Sequence, residues 1–421
     1  MHGDITLTGE EAWLLDAPEV QRLRWVQQLG TAYLVYPGCR HSRFEHALGT
    51  LAAAGRILAG LRAAGFDVAP EVERAVRAAA LLHDVTHVPF GHTLEDERGL
   101  LPRHDRGPRL GLLLRGELGR RLERLGLLGP VREILEPESG EERAAGGGLP
   151  PWARELVAGT VDADLLDYLR RDAYYAGLKP DYDDRVYRYF VLDGGHLALN
   201  LQDRGIDRPD ARSEVIQVLR TRYFLTERVY FHHAKVASGA MVSRAVETVL
   251  EAGGVDEERL LRLGDQTLLE WLAGGAGLRS GARETVAGLA RALLERRLLK
   301  RAYVLTARST GRDERAELTR LYWRRGEPRR RLEAELAGEA GLAEGWVVVW
   351  CAQESAMKEA RVRVVSASGR RELDGPEVEV LDQAYRGLWR LYVFAPREAR
   401  TRVEAAAERR FGRPSELQPP S

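Results

Sequence analysis

Cysteine is nearly missing from this sequence. Cys39 and Cys351 are the two in 421 residues, and they share no metal-type spacing. That argues against a disulfide framework and for ordinary reduced thiols in a cytoplasmic chain. Long apolar runs are missing too. No stretch approaches the roughly 18 residues of a membrane helix, and MHGDITLTGEEAWLL lacks the basic and apolar regions of a secretory leader. The expected location is the cytosol, with no membrane partner. Net charge is absent, because 63 basic residues balance 63 acidic ones. Whole-chain attraction to nucleic acid is therefore not indicated. Lysine is scarce, supplied by Lys179, Lys235, Lys300 and Lys358 alone. A phosphate grip falls mostly to arginine, which suits bidentate recognition.

What is present is a globular composition, 44% hydrophobic and 30% charged, with ample length for a buried core. Apolar spacing predicts a helix over 18–30, with Val20, Leu23 and Val26 on one face and Gly30 as its cap. A second helix is expected over 42–64. A third starts near Pro70 and delivers His83 and Asp84 at its C-terminal end. Pro89 and Gly91 should end helical geometry over 85–91. Helical pattern resumes over 109–136 and 151–178, separated by the Gly- and Glu-rich loop 137–150. A small hairpin is expected at 191–206, then a long helical region from 213 to 336. WVVVWC, ARVRVVSA and LWRLYVFAP are β-rich, and the tail from Gly412 should fray. The fold class is mainly α: a helical bundle over 1–250, a helical extension over 251–339 and a small α+β unit over 340–421.

Six of ten histidines lie between 41 and 104: His41, His46, His83, His87, His92 and His104. Imidazole with carboxylate suits a first-row divalent ion such as Mn, Fe, Zn, Co or Ni. Such an ion makes water a better nucleophile and neutralises phosphate charge. One His-Asp dipeptide means little. The ordered set HSRFEH, LLHDVTHVPFGH and VDADLLDYLRRD means more, because buried ionisable groups are costly unless paired or metal-bound.

Together with RLRWVQQLG and LRTRYFLTERVYFHHAKV, these motifs cover about 18–240, and over that span the chain resembles the HD-superfamily deoxynucleoside triphosphohydrolases. The resemblance implies His46, His83, Asp84 and Asp164 as ligands of one divalent metal, with Mg an optional companion on the substrate phosphates. It implies His92 as the proton-transfer group paired with Glu95, and His104 as their neighbour. It puts Arg43 at the α-phosphate and His87 near the phosphates. Arg222 and Tyr168 would hold phosphate and Tyr230 would pack on the sugar. Gln28, Leu29 and Asp172 would read the 3′-hydroxyl and crowd the 2′ position. His41 is expected to be structural, and Asp167 to be a helix-surface or supporting acid.

One position departs from the family. Relatives often carry Lys or Arg directly after the third-motif ligand, and here Leu165 stands there. Arg170, Arg171 or Lys235 could replace it. The expected reaction is attack of water on the α-phosphorus of a dNTP, with His92 supplying the proton for the departing oxygen. Two alternatives stand beside it. One is another HD nucleotidase or phosphodiesterase, although GYP and HDxxED signatures are missing. The other is an inactive nucleotide-sensing or nucleic-acid-binding protein. The family also implies a homo-oligomer, a dimer or tetramer, that can take an activating nucleotide. The Leu-rich stretches at 109–128 and 285–299 are the hint of a partner surface.

Overall fold

The structure is a computed structural model that describes residues 2–136, 148–324, 326–353 and 356–417. Most of the expected loop at 137–150 lies outside these residues. No helix among the described residues is long and apolar enough to cross a membrane.

The chain is mainly α-helical, and the Arg43–Ala63 helix is its centre. Ser42 and Glu45 start it with a reciprocal cap, each side chain accepting from the other's backbone N–H. Leu51, Ala54, Ile57, Leu58 and Leu61 are buried along it. The Pro70–Leu82 and Ala163–Tyr175 helices pack on it. Pro70 opens the first of these, where its missing N–H costs nothing. Gly49 lets the second come close, since a Cβ there would collide with the Asp167 carboxylate.

Several expected helices are broken. Residues 18–30 form an α-helix only over Pro18–Gln21, then a tighter 3-10 turn over Arg22–Trp25. Gly30 is not a helix cap; it opens the turn Gly30–Leu34. The Leu/Arg-rich stretch divides into Arg109–Leu113, Glu117–Arg124 and Leu128–Leu135. Leu110, Leu113, Leu118 and Leu122 face the protein's own core, as do Val286, Leu289 and Leu293 of the other stretch. Core packing accounts for these residues, while Leu294 of the second stretch is exposed. Residues 151–178 form two helices, Pro151–Ala158 and Ala163–Tyr175.

The strands are β1 (Phe190–Asp193), β2 (His196–Asn200), β3 (Gln202–Asp203), β4 (Ile206–Asp207), β5 (Lys300–Thr306), β6 (Val348–Cys351), β7 (Arg363–Ser366), β8 (Gly369–Glu372) and β9 (Arg390–Ala395). One sheet has the order β1-β2-β7-β8, with β2 and β7 parallel. Another has the order β5-β9-β6 and is antiparallel throughout. The three expected units are therefore interleaved. β7 of the last pairs with β2 of the first, and β5 of the middle unit shares a sheet with β6 and β9. β5 itself falls inside the stretch expected to be helical. Its run Ala302, Tyr303, Val304 and Leu305 is buried continuously, which fits a strand covered on both faces. The tail is not frayed up to 417, because the Glu416 backbone and carboxylate both bond to β5.

A buried ionic network joins the first part of the chain to the extension. The Arg98 guanidinium donates to Glu247 and Glu333 at 3.0 Å each and to the Val349 carbonyl at 2.9 Å. Arg329 donates to the other Glu247 oxygen and to the Arg98 carbonyl. Burial pushes the Glu247 carboxyl up, but Arg98, Arg329 and Arg244 outweigh it and hold it at about 2, against an ordinary 4.5 for glutamate. Glu247→Gln should cost about 3–5 kcal/mol in chemical unfolding, because two buried guanidinium groups lose their counter-charge. The folded carboxyl is depressed, so its contribution is complete above pH 4.5 and is lost as pH falls toward 2. The stability gap between wild type and variant should close over that window. A gap that stays constant with pH would show that Glu247 is not ionised in the fold.

Candidate metal centre

Three helices bring the four expected ligands together. His46 lies one turn into the central helix, and His83 and Asp84 leave the end of the Pro70–Leu82 helix. Asp164 lies in the first turn of the Ala163–Tyr175 helix, which Asp162 caps by accepting from the Leu165 N–H. The Nε2 atoms of His46 and His83 are 3.1 Å apart. Asp164 Oδ1 is 2.9 Å from His46 Nε2 and 3.6 Å from His83 Nε2. The Asp84 oxygens lie at 3.7 and 3.5 Å from the same two nitrogens. Ligand atoms about 2.1 Å from one ion stand about 3.0–3.4 Å apart, so the spacing is that of a coordination polyhedron.

The hydrogen bonds behind the rings fix what these nitrogens offer. His46 Nδ1 lies 2.7 Å from Asp167, and His83 Nδ1 lies 2.9 Å from the Ala80 carbonyl. Both partners can only accept, so both Nδ1 atoms carry a hydrogen and each Nε2 is the atom turned toward an ion. Two such nitrogens facing each other among carboxylates need a positive charge between them. The electrostatics agree. Burial alone would lower His46, yet Asp164, Asp167 and Asp84 outweigh it and raise it to about 10, so the carboxylates hold a positive charge at this ring, a proton on Nε2 that an ion would replace. The donor set therefore fits a divalent ion.

Asp167 is not on the helix surface. It is fully buried and holds His46 in place, while Arg171 grips both of its oxygens at 2.7 and 2.9 Å. His2 also reaches Asp167. The sequence offered the i,i+4 pair Asp167–Arg171 as the only signal of this arrangement.

The ligands open on a cavity of about 970 Å³. His92, His104, Arg43, Gln28, Leu29, Tyr168, Asp172, Arg222 and Tyr230 also line it. His87 and Glu95 do not. His87 is buried, stacks on His104 at 3.8 Å and points Nε2 at Asp84, 3.2 Å away. Burial, with Arg43 and His104, pushes it down to about 3, which favours the neutral ring beside Asp84. Glu95 is held by Arg109 at 2.6 Å and lies 3.8 Å from His92. The acid that orients His92 is Asp96, whose carboxylate is 2.8 Å from Nδ1. An i,i+4 spacing on a short helical turn puts Asp96 beneath the ring, while Glu95 rotates inward. Gly91 admits this packing, since a Cβ there would press on Arg43 and His87.

The opposite wall is built around Asp172. His41 Nε2 is 2.8 Å from one of its oxygens, and the Tyr230 hydroxyl donates to the other at 2.7 Å. Tyr230 ends a widened π-helical turn, Thr226–Tyr230, a local distortion common at functional sites. The Arg222 guanidinium lies over the rings of Tyr168 and Tyr230. Arg43 reaches the metal side, donating to Asp84 at 2.6 Å. A third wall comes from the C-terminal part: Trp350, Lys358, Glu359 and Tyr385 line the same cavity. No motif announced these residues.

Asp167 and Arg171 together set the orientation of the His46 ring. Asp167→Asn should lower metal affinity by about 10–100-fold, the usual cost of losing such a partner. Metal titration followed by inductively coupled plasma analysis checks it. An unchanged affinity would mean that the ring is oriented by other contacts.

Comparison with known proteins agrees with this geometry. The HD domain matches residues 43–172, and the HD associated region matches residues 213–418. An uncharacterized protein of Methanocaldococcus jannaschii is 29% identical over 280 residues, 65% of this chain and 53% of that one. The deoxynucleoside triphosphate triphosphohydrolase SAMHD1 of Gallus gallus is 28% identical over 281 residues, 59% of this chain and 44% of that one. The chain thus spans about half the length of the curated relatives it matches. A phosphohydrolase from Bacteroides thetaiotaomicron has the same fold, with a TM-score of 0.69 at 20% identity over 93% of this chain and 97% of that one. Fold, ligand order and both matched regions lead to one assignment: the chain belongs to the HD superfamily and resembles its deoxynucleoside triphosphohydrolases.

Proposed function

We propose that the protein is a metal-dependent phosphohydrolase that splits deoxynucleoside triphosphates into deoxynucleoside and triphosphate. The observation that carries this reading is the meeting, in one cavity, of the His46, His83 and Asp84 group and the neighbouring Asp164 with the Gln28, Leu29, Asp172 and Tyr230 wall. An ion held by His46, His83, Asp84 and Asp164 supplies charge neutralisation and an activated water. The chain's own residues do the rest. Arg43, already anchored on Asp84, takes an α-phosphate oxygen. His92 is partly exposed to the cavity, and Asp96 occupies its Nδ1. Its Nε2 is left to give a proton to the departing 5′-oxygen as the bond from phosphorus to that oxygen breaks and water oxygen takes its place. Burial would raise the Asp96 carboxyl, but His92 and Arg103 hold it at about 2. It stays ionised and keeps its hold on Nδ1 of the ring that must donate.

Asp172 fits the sugar end. His41 and Tyr230 fix its carboxylate, and each oxygen keeps a lone pair for a hydroxyl. Leu29 and Tyr230 narrow the space where a 2′-hydroxyl would sit. A second reading, a nucleotidase or phosphodiesterase for another ester, is favoured by Leu165. This residue is buried and brings no cation to the phosphates.

His92→Ala should lower turnover by about 10²–10⁴-fold and leave metal content unchanged. Asp96→Asn should weaken turnover more than Glu95→Gln, contrary to the order implied by family resemblance. Near wild-type turnover in His92→Ala would remove it as the proton donor. For the sugar, kcat/KM should favour each dNTP over its matching NTP. Equal values, or activity confined to other esters in a screen of dNTPs, NTPs and cyclic nucleotides, would favour the second reading.

A further inference from the structure

The cation that Leu165 fails to supply has to come from elsewhere if a triphosphate is bound. The three substitutes offered by the sequence are engaged. Arg170 is turned to Asp181, Asp184 and the Tyr182 carbonyl. Arg171 is clamped on Asp167 behind His46. Lys235 lines the cavity but is paired with Glu97. Among the cavity's other cations, Arg43 is paired with Asp84, Arg103 with Asp96 and Asp105, and Arg222 with Glu359, while Arg154 is turned to the Glu136 carbonyl.

Lys358 differs. It lines the cavity from the C-terminal part and makes no ion pair among the described residues. Its ammonium donates to the carbonyl of Gly159, the residue that ends the Pro151–Ala158 helix. A helix C-terminus attracts a cation, and one carbonyl occupies only one of three N–H donors. That anchor sits on the short connection leading to Asp162 and Asp164, so the charge lies on the Asp164 side of the cavity, where Leu165 brings none. Arg106, also without an ion pair among the described residues, belongs to the His104 side. Lys358 and Thr160 also line a neighbouring cavity of about 720 Å³, whose wall includes Arg361, Arg363, Arg370 and Arg371. The lysine therefore stands where the two cavities meet, although Arg363, Arg370 and Arg371 are paired with Glu155, Asp193 and Asp374.

We propose that Lys358 binds the outer phosphates of the substrate and makes the protein selective for triphosphates over monophosphate esters. This rests on the proposed phosphohydrolase reading. It gives the C-terminal part a direct role in substrate binding, as the wall that completes the polyphosphate site.

The test uses the metal-loaded full chain and inorganic tripolyphosphate and orthophosphate as calorimetric probes. Lys358→Ala should weaken tripolyphosphate about tenfold or more, the worth of one charge-assisted hydrogen bond, and change orthophosphate less than about twofold. Lys358→Arg should restore most of the tripolyphosphate affinity. In turnover, Lys358→Ala should lower the ratio of kcat/KM for a dNTP over its monophosphate by a similar factor. An unchanged tripolyphosphate affinity, or an equal loss for both anions, overturns the proposal. If the wild type hydrolyses no dNTP, the functional reading fails, while the tripolyphosphate arm still decides the role of Lys358.

Discussion

Two imidazole lone pairs held 3.1 Å apart are the constraint on which the rest of this structure depends. Without a proton or an ion between them they repel, as do the carboxylates of Asp84 and Asp164 beside them. The arrangement survives because each ring is fixed from behind. Asp167 takes the hydrogen of His46 and the Ala80 carbonyl takes that of His83. Asp167 is itself neutralised by Arg171. Gly49 then makes room for that carboxylate against the central helix. A site selective for positive charge thus follows from the packing of three helices, with the supporting groups as necessary as the ligands.

The same logic of buried charge ties the extension to the site. Asp265, on the helix Asp265–Ala273, accepts from the backbone N–H groups of Gln27 and Phe90 at 3.0 and 2.8 Å. It fixes the start of the Gln28–Leu29 wall and the turn before Gly91 and His92 in one contact. Phe90 has φ of 60°, a conformation that needs such an outside hold. The Arg98–Glu247–Arg329 network does the same for the segment after His92. Catalytic and C-terminal parts are therefore one packed body around one cavity, which is why Trp350, Lys358 and Tyr385 can form its third wall.

Much of the scaffold was legible. The helices expected over 42–64 and from Pro70 are present at Arg43–Ala63 and Pro70–Leu82, because local propensity and burial agree there. The ligand residues were legible through their order and residue types. Less could be read where tertiary packing overrides local pattern. Glu95 and Asp96 are adjacent acids, and sequence spacing allowed either to meet His92. The inward rotation of Glu95 toward Arg109 decides it. β5 reads as helix in isolation because its apolar run has no alternation, and only its pairing with β9 makes it a strand.

The sequence by itself determined that this is a mainly α-helical chain carrying an ordered His, His-Asp, Asp set, because helix periodicity and residue chemistry are local properties. Only the tertiary structure decided that Asp167 is buried behind His46, that His87 and Glu95 lie outside the cavity, and that Lys358 reaches it from far beyond Asp164 in the chain. Those outcomes depend on which surfaces pack together and on where each buried charge finds its partner, and neither is encoded at any single position in the chain.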